Sequence, residues 1–366
     1  MKIGINTLFY IPGEVGGSET YLLEILKVWK EEGIPHEVVL FTNQENHERL
    51  AEFEGQGWSR VLCPFQASNR VVRILREQFE LPFKVKKSGV DVLWSPGYTM
   101  PFWVPCKQVV SILDMQYKRF PQDLSFVGRW TTEVLVQMGT RRADQLLTIS
   151  EFSKQEIIEL TPAKAENITV TPLAADKAFS VPVSGEVDVP KPYILCVANS
   201  YPHKNVDQLI RAYAAVQDEI PHTLVWIGRP RLGEPAIEEA MAKVQNPERL
   251  VRLTGVSRSE LIQLYQQAEL FVFPSLYEGF GLPVLESLLA GTPVLTTTCG
   301  SLPEVGGEYV STFDPTSDNS LASQIKNLFN GSAVSTTIPV DDLLNGFTWK
   351  RTSSLTLMTL QSTHES

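Results

Sequence analysis

The sequence predicts an α/β chain made of two parallel-sheet, Rossmann-like β/α/β domains. Three observations carry that expectation. At 366 residues the chain is longer than one hydrophobic core comfortably serves, so two domains are expected. Short β-branched runs alternate with amphipathic stretches, the pattern of parallel sheets covered by helices. The Pro-rich, non-periodic stretch Val181 to Pro192 separates two series of such runs and reads as a linker. The expected division is residues 1–183, residues 191–346, and a terminal segment 347–366.

In chain order, the first series places strands at Ile3 to Ile5, Glu37 to Phe41, Val90 to Trp94, Val109 to Leu113, Leu146 to Ile149 and Ile168 to Val170. The second places them at Tyr193 to Val197, Thr223 to Ile227, Val251 to Leu253, Leu270 to Phe273 and Pro293 to Thr296. Helices are expected from about Thr20 to Lys30, from Val206 to Val216, and from Pro283 to a stop at Gly291. Pro suits a first helical turn, where its missing N–H costs nothing, and Gly suits the position past the end. The tail from Phe347 onward also reads as a helix. Ligands of open α/β sheets bind beyond the carboxyl ends of the strands, so the loops there are where chemistry is sought.

Composition narrows the class. A chain 43% hydrophobic and 20% charged is that of a soluble globular protein. The longest apolar runs are too short to span a bilayer. The amino terminus reads as a strand without a signal peptide's apolar core. Cys63, Cys106, Cys196 and Cys299 lack CxxC spacing and read as reduced, packed thiols of a cytoplasmic protein. A net charge of −10 argues against nucleic acid as a partner.

The densest chemistry lies between Phe273 and Glu286. A strand end, a glycine-bearing loop and a helix start present backbone N–H groups and a positive dipole end, which suit a diphosphate. Glu278 and Glu286, with seven residues between them, repel phosphate and need another purpose. Accepting hydrogen bonds from vicinal hydroxyls, on a ribose and on a sugar, is the natural one. An ionised Glu286 can accept from both hydroxyls of a ribose diol. Gly279, Phe280, Gly281 and Leu282 supply backbone N–H groups, the glycines allowing close approach. Together these features describe a nucleotide-sugar pocket.

The segment Glu278-Gly279-Phe280-Gly281-Leu282-Pro283-Val284-Leu285-Glu286, followed by Gly291-Thr292-Pro293-Val294 and Ser301-Leu302-Pro303-Glu304-Val305, resembles the E-x7-E signature of retaining glycosyltransferase family 4. The resemblance implies the GT-B architecture, two Rossmann-like domains facing across a cleft. The first domain would bind the acceptor and the second the donor, with the last helix crossing back onto the first. It places Glu278 on the transferred sugar. Lys204, in Val197-Ala198-Asn199-Ser200-Tyr201-Pro202-His203-Lys204-Asn205, is similar to the family's diphosphate-binding lysine in G-x-x-x-P-R-K-N. His203 stands where that pattern has arginine, and Ala198 where it has glycine. Arg229, after the Leu224 to Ile227 strand, is assigned to phosphate or base. Val256 is assigned to backbone contacts with the base. Gly16 and Gly17 match a loop the family uses beneath the donor diphosphate.

Asp114 matches the aspartate of the family's T-I-H-D element, with Leu113 in place of its histidine. Asp114 either orients the acceptor hydroxyl or caps the turn at its strand end. No D-x-D motif is present, and neither metal nor cofactor is expected, so a fixed ammonium and helix dipoles must stabilise the leaving group. Trp94, Tyr98, Phe102 and Trp103 either stack on acceptor sugars or pack in the core. Residues 70–87 carry six basic side chains against Glu77 and Glu80, interleaved with apolar ones. That stretch is either a helix with a solvated basic face or a peripheral contact with the inner face of a membrane.

The expected function is hexosyl transfer from a nucleoside-diphosphate sugar to a saccharide or lipid-linked saccharide in polysaccharide biosynthesis. UDP-glucose is the first donor considered, with GDP-mannose or another UDP-hexose as alternatives. A nucleotide-sugar-binding protein without turnover, or a same-fold epimerase or phosphorylase, are the rivals. Release of nucleoside diphosphate separates the first from an enzyme.

Overall fold

The computed structural model describes residues 1–123, 125–330, 338 and 340–366. The chain divides into two compact units, one of Met1–Leu173 with Trp349–Ser366 and one of Ala174–Thr348.

The first unit is a seven-stranded parallel sheet. Its strands are β1 (Lys2–Asn6), β2 (Glu37–Thr42), β3 (Trp58–Leu62), β4 (Val92–Ser95), β5 (Lys107–Ser111), β6 (Gln145–Thr148) and β7 (Ile168–Val170), in the order β3-β2-β1-β4-β5-β6-β7. In register, Ile3 lies opposite Val38 on one side and Val92 on the other. The second unit is a six-stranded parallel sheet of β8 (Tyr193–Val197), β9 (Thr223–Ile227), β10 (Leu250–Leu253), β11 (Leu270–Phe273), β12 (Val294–Thr296) and β13 (Val310–Thr312), in the order β10-β9-β8-β11-β12-β13. The central strands are near-continuous apolar runs because helices cover both faces. Ile194, Leu195, Phe271 and Val272 are fully buried. The edge strands β3 and β13 lie outside the eleven expected from sequence.

The strand order changes direction between β1 and β4, and again between β8 and β11. Such switch points open a crevice at the carboxyl ends of the two strands. In the second unit the loops leaving β8 and β11 therefore flank one crevice. The helix that follows β11 runs from Leu282 to Leu289. Gly281 precedes it with φ +95°, and Gly291 follows with φ +76°. Both values lie where a side chain is strained.

The stretch from Val181 to Pro192 belongs to the second unit, and the division falls earlier, between Leu173 and Ala174. The reason is local. Phe179 is buried edge-on against Tyr265, with ring centroids 5.4 Å apart. Gln266 Nε2 donates to the carbonyls of Phe179 and Val181, and its Oε1 accepts from the Val183 N–H. This polar stretch is thus strapped along the helix Arg258–Gln267. The final helix, Trp349–Glu365, groups with the first unit, where the Trp29 indole N–H donates to the Ser353 carbonyl at 3.1 Å. Among the described residues no helix is long and apolar enough to cross a membrane.

Candidate functional site

Lys204 closes a short 3-10 turn, Pro202–Lys204, just beyond β8. Glu278 lies in the loop beyond β11. The switch point brings them together although 74 positions separate them: the Lys204 ammonium donates to Glu278 Oε1 at 2.6 Å. Lys204 Nζ also lies 5.4 Å from the centre of the Phe273 ring. The two loops are tied by backbone, since the His203 carbonyl accepts from the Leu276 N–H at 2.7 Å and from Ser275 Oγ at 3.2 Å. His203 itself is buried, and burial together with the adjacent Lys204 charge pulls its pKa down to about 3. It is neutral at any ordinary pH, so it does not supply the positive charge of the arginine in the family pattern.

A crevice of about 350 Å³ opens beside this pair. Its lining includes Asn199, Lys204, Arg229, Gly255, Val256 and Pro283. Its walls are held by a network the sequence reading did not anticipate. Arg252 forms an ion pair with Glu234, lies 4.0 Å from the centre of the Trp226 ring, and donates to the Gly228 carbonyl. Glu234 accepts from Ser200 Oγ at 2.7 Å. Asn199 Oδ1 accepts from the Arg229 N–H at 2.9 Å, and the Trp226 indole donates to the Ala198 carbonyl at 2.7 Å. A Cβ on Gly228 would lie 2.0 Å from that carbonyl oxygen. The one legible signal was Arg252 itself, a charge inside an otherwise apolar strand.

Glu278 is fixed by its main chain as well as by Lys204. Its carbonyl accepts from the Ser301 N–H at 3.1 Å and from Ser301 Oγ at 3.0 Å. A side chain at Gly300, where φ is +64°, would collide with the same peptide. Gly279, Phe280, Gly281 and Leu282 follow as the turn into the helix, with Phe280 buried edge-on against Phe347.

Glu286 is half-buried, beginning the second turn of the helix and one turn beyond Pro283. Tyr265 donates its hydroxyl to Glu286 Oε2 at 3.0 Å. Burial raises the Glu286 carboxyl pKa from 4.5 to about 7; the Tyr265 hydrogen bond and Arg258 pull it back, while Asp176 adds to the rise. Near neutral pH the group therefore exists in both protonation states. The ionised form offers both oxygens as charged acceptors to a pair of hydroxyls, whereas the protonated form turns one of them into a donor.

The remaining candidates lie in the first unit. Gly16 and Gly17 sit where β1's loop enters the helix Gly17–Glu32, and the space around both is open. Asp114 follows β5; its Oδ1 accepts from the Gln116 N–H at 3.0 Å, so it does cap the turn. It also hydrogen-bonds Tyr98, a non-glycine residue held at φ +68°. Leu113 is buried. Of the four aromatic candidates, Trp94 is fully buried and donates to Ser111 Oγ, which makes it core, whereas Trp103 is exposed. All four cysteines are free thiols. Among the described residues no three His, Cys, Asp or Glu side chains are grouped to hold a metal ion.

Two parallel sheets, each with a switch point in its strand order, and a lysine–glutamate pair beside the crevice of the second define the class: a two-domain α/β protein of the GT-B type. Comparison with known proteins gives the family. Residues 15–179 match the model described as Glycosyltransferase Family 4, and residues 182–336 match Glycosyl transferases group 1. The chain belongs to glycosyltransferase family 4.

Over 187 residues, 48% of its length, the chain is 33% identical to the serotype-specific mannosyltransferase WbdA of Escherichia coli. That match spans only 23% of WbdA. It is 27% identical to the O-antigen chain mannosyltransferase RfbU of Salmonella typhimurium, over 75% of this chain and 78% of that protein. Among solved structures, Anabaena Alr3699/HepE, in complex with UDP and glucose, aligns with a TM-score of 0.73 at 19% identity over 99% of this chain and all of its own. A glycosyltransferase from Rickettsia africae also aligns with a TM-score of 0.73, at 15% identity over 99% of this chain and 98% of its own.

Proposed function

We propose that the protein is a retaining, metal-independent hexosyltransferase that draws its sugar from a nucleoside diphosphate in the second unit's crevice. The observation that carries this reading is the Lys204–Glu278 pair at the β8/β11 switch point, beside the crevice lined by Arg229, Val256 and Pro283. Lys204 and the start of the Leu282–Leu289 helix supply positive potential for the diphosphate. Arg229 adds a second cation, and Val256 lies against the base. Glu278 contacts the transferred sugar while holding the ammonium, and Glu286 receives the ribose hydroxyls. Gly16, Gly17 and Asp114 are assigned to the reacting groups from the first unit, Asp114 to the acceptor hydroxyl.

In the step itself, the bond from the anomeric carbon to the phosphate oxygen breaks and negative charge gathers on the diphosphate. The acceptor oxygen bonds to the same face of the sugar, and its proton passes to the departing phosphate oxygen. Retention follows, and no separate base is needed. This suits a site with Leu113 where the family pattern has histidine.

Both relatives compared by sequence are named mannosyltransferases, and the name of one refers to the O-antigen chain. That favours a mannosyl donor over the UDP-glucose considered first, with a saccharide or lipid-linked saccharide acceptor in polysaccharide assembly. The test is a panel of GDP- and UDP-hexoses, followed by thermal stabilisation and by release of nucleoside diphosphate. One donor that both stabilises the protein and is slowly hydrolysed supports the reading. Stabilisation without release by any donor or acceptor favours a binding protein instead.

A further inference from the structure

We propose that one face of the first unit docks on the surface of an anionic lipid bilayer. Among the described residues, eight of the twelve exposed large apolar side chains lie on three helices and one loop of this unit. The helices Arg70–Phe79 and Leu81–Ser88 run consecutively, and Val71, Leu75, Phe79 and Phe83 recur every four residues along them. Phe79 is 68% exposed and Phe83 72%, far from the burial a core stripe of this spacing would show. Trp103 from the loop before β5 is 59% exposed and borders the same groove, which holds about 530 Å³ and is lined almost wholly by carbon. Phe126, Val127 and Trp130 extend the exposed apolar surface at the start of the third helix, Phe126–Arg142. Arg70 ties the two helical regions together by donating to the Gly128 carbonyl and Thr132 Oγ1.

Charge decides what occupies this face. The first two helices carry Arg70, Arg73, Arg76, Lys84, Lys86 and Lys87. Of their acids, Glu77 is buried beneath, bonded to Asn6 and Thr99. Glu80 is already paired with both Arg76 and Lys84. The third helix adds Arg129, Arg141 and Arg142, with Arg142 reaching the Phe102 carbonyl at the groove edge. Its one acid, Glu133, is paired with Lys118. A cationic rim around exposed aromatics, on a chain of net charge −10, complements a negative lipid surface, where aromatic rings settle at headgroup level. A second copy of the chain would set like charges against each other. A lipid-linked acceptor would give such docking a purpose, yet the docking does not depend on the reaction proposed above.

The experiment is co-sedimentation of the full chain with vesicles of phosphatidylcholine alone or mixed with phosphatidylglycerol. The expected result is partition onto the mixed vesicles only, weakening steeply as salt rises. Each cation removed should weaken binding about fivefold, so the triple variant Arg76→Gln/Lys86→Gln/Lys87→Gln should lose about 100-fold. Phe79→Ser/Phe83→Ser should lose at least about tenfold with an unchanged unfolding transition, since both rings are exposed. Leu232→Ser, an exposed apolar site on the second unit, should bind as wild type. Equal partition onto neutral and anionic vesicles, or none, overturns the proposal. So does a wild-type dimer in solution that Phe79→Ser/Phe83→Ser splits, which would assign the face to a second copy. Neither result touches donor hydrolysis, so the docking and the proposed reaction fail separately.

Discussion

Replacing Glu286 by glutamine tests the second unit's site through both stability and binding. The wild-type carboxyl is raised from 4.5 to about 7, chiefly by burial. Between those values the folded protein holds a proton that the unfolded chain has released. Stability from this group is therefore fully present below pH 4.5 and is lost as pH rises through 7. The span corresponds to at most roughly 3 kcal/mol, less whatever the half-exposed side chain recovers from solvent. Glutamine keeps the shape and can still accept from the Tyr265 hydroxyl, but it never ionises. Denaturant titrations at a series of pH values should find Glu286→Gln close to wild type near pH 4.5 and progressively more stable than wild type toward pH 8.

Donor affinity should move the other way. In the wild type it should rise as pH passes 7 and the carboxylate forms; in the variant it should be flat, and weaker above pH 7 by about 1.5–3 kcal/mol, the worth of a hydrogen bond to a charged group. Parallel pH–stability curves for the two proteins would refute the burial argument. A variant that binds donor as tightly as wild type at pH 8 would refute the role given to Glu286.

Three further outcomes follow from the same geometry. Glu278→Gln removes the charge that fixes Lys204, and turnover should fall about 10²- to 10³-fold, with a loss of stability because the ammonium left behind is largely buried. Gly228→Ala forces a methyl into the Ala198 carbonyl; the variant should lose roughly 1–3 kcal/mol of stability together with donor binding, and a fully stable, active variant would contradict the wall geometry. Addition of a chelator should leave sugar transfer unchanged; loss of activity that a divalent cation restores would remove metal independence from the proposal.

Much of the fold was legible because buried parallel strands announce themselves. Tyr193 to Val197 and Leu270 to Phe273 are unbroken apolar runs that only a two-sided core accounts for. The strands Trp58–Leu62 and Val310–Thr312 gave no such signal, because each is an edge strand with a polar, part-exposed pattern. Val181 to Pro192 looked like a linker by composition, yet Gln266 and the burial of Phe179 just before it hold the stretch in the second unit. At the site, Lys204 and Glu278 each lay in a segment readable from sequence, but their pairing depends on which strands are neighbours. The raised Glu286 pKa, the Arg252–Glu234 brace and the Ser301 grip on Glu278 are tertiary facts with no local spacing to reveal them. His203, which stands where the family pattern has arginine, is buried and neutral, and its sequence position alone could not show that.

The central claim is that the diphosphate of a nucleotide sugar is held by the Lys204 ammonium in the second unit. Calorimetric titration of GDP and UDP into wild type and Lys204→Met tests it without requiring the acceptor or the sugar. At least one nucleotide should bind the wild type, and Lys204→Met should bind it at least tenfold more weakly with its fold intact. Equal affinity of the two proteins for both nucleotides would contradict the claim.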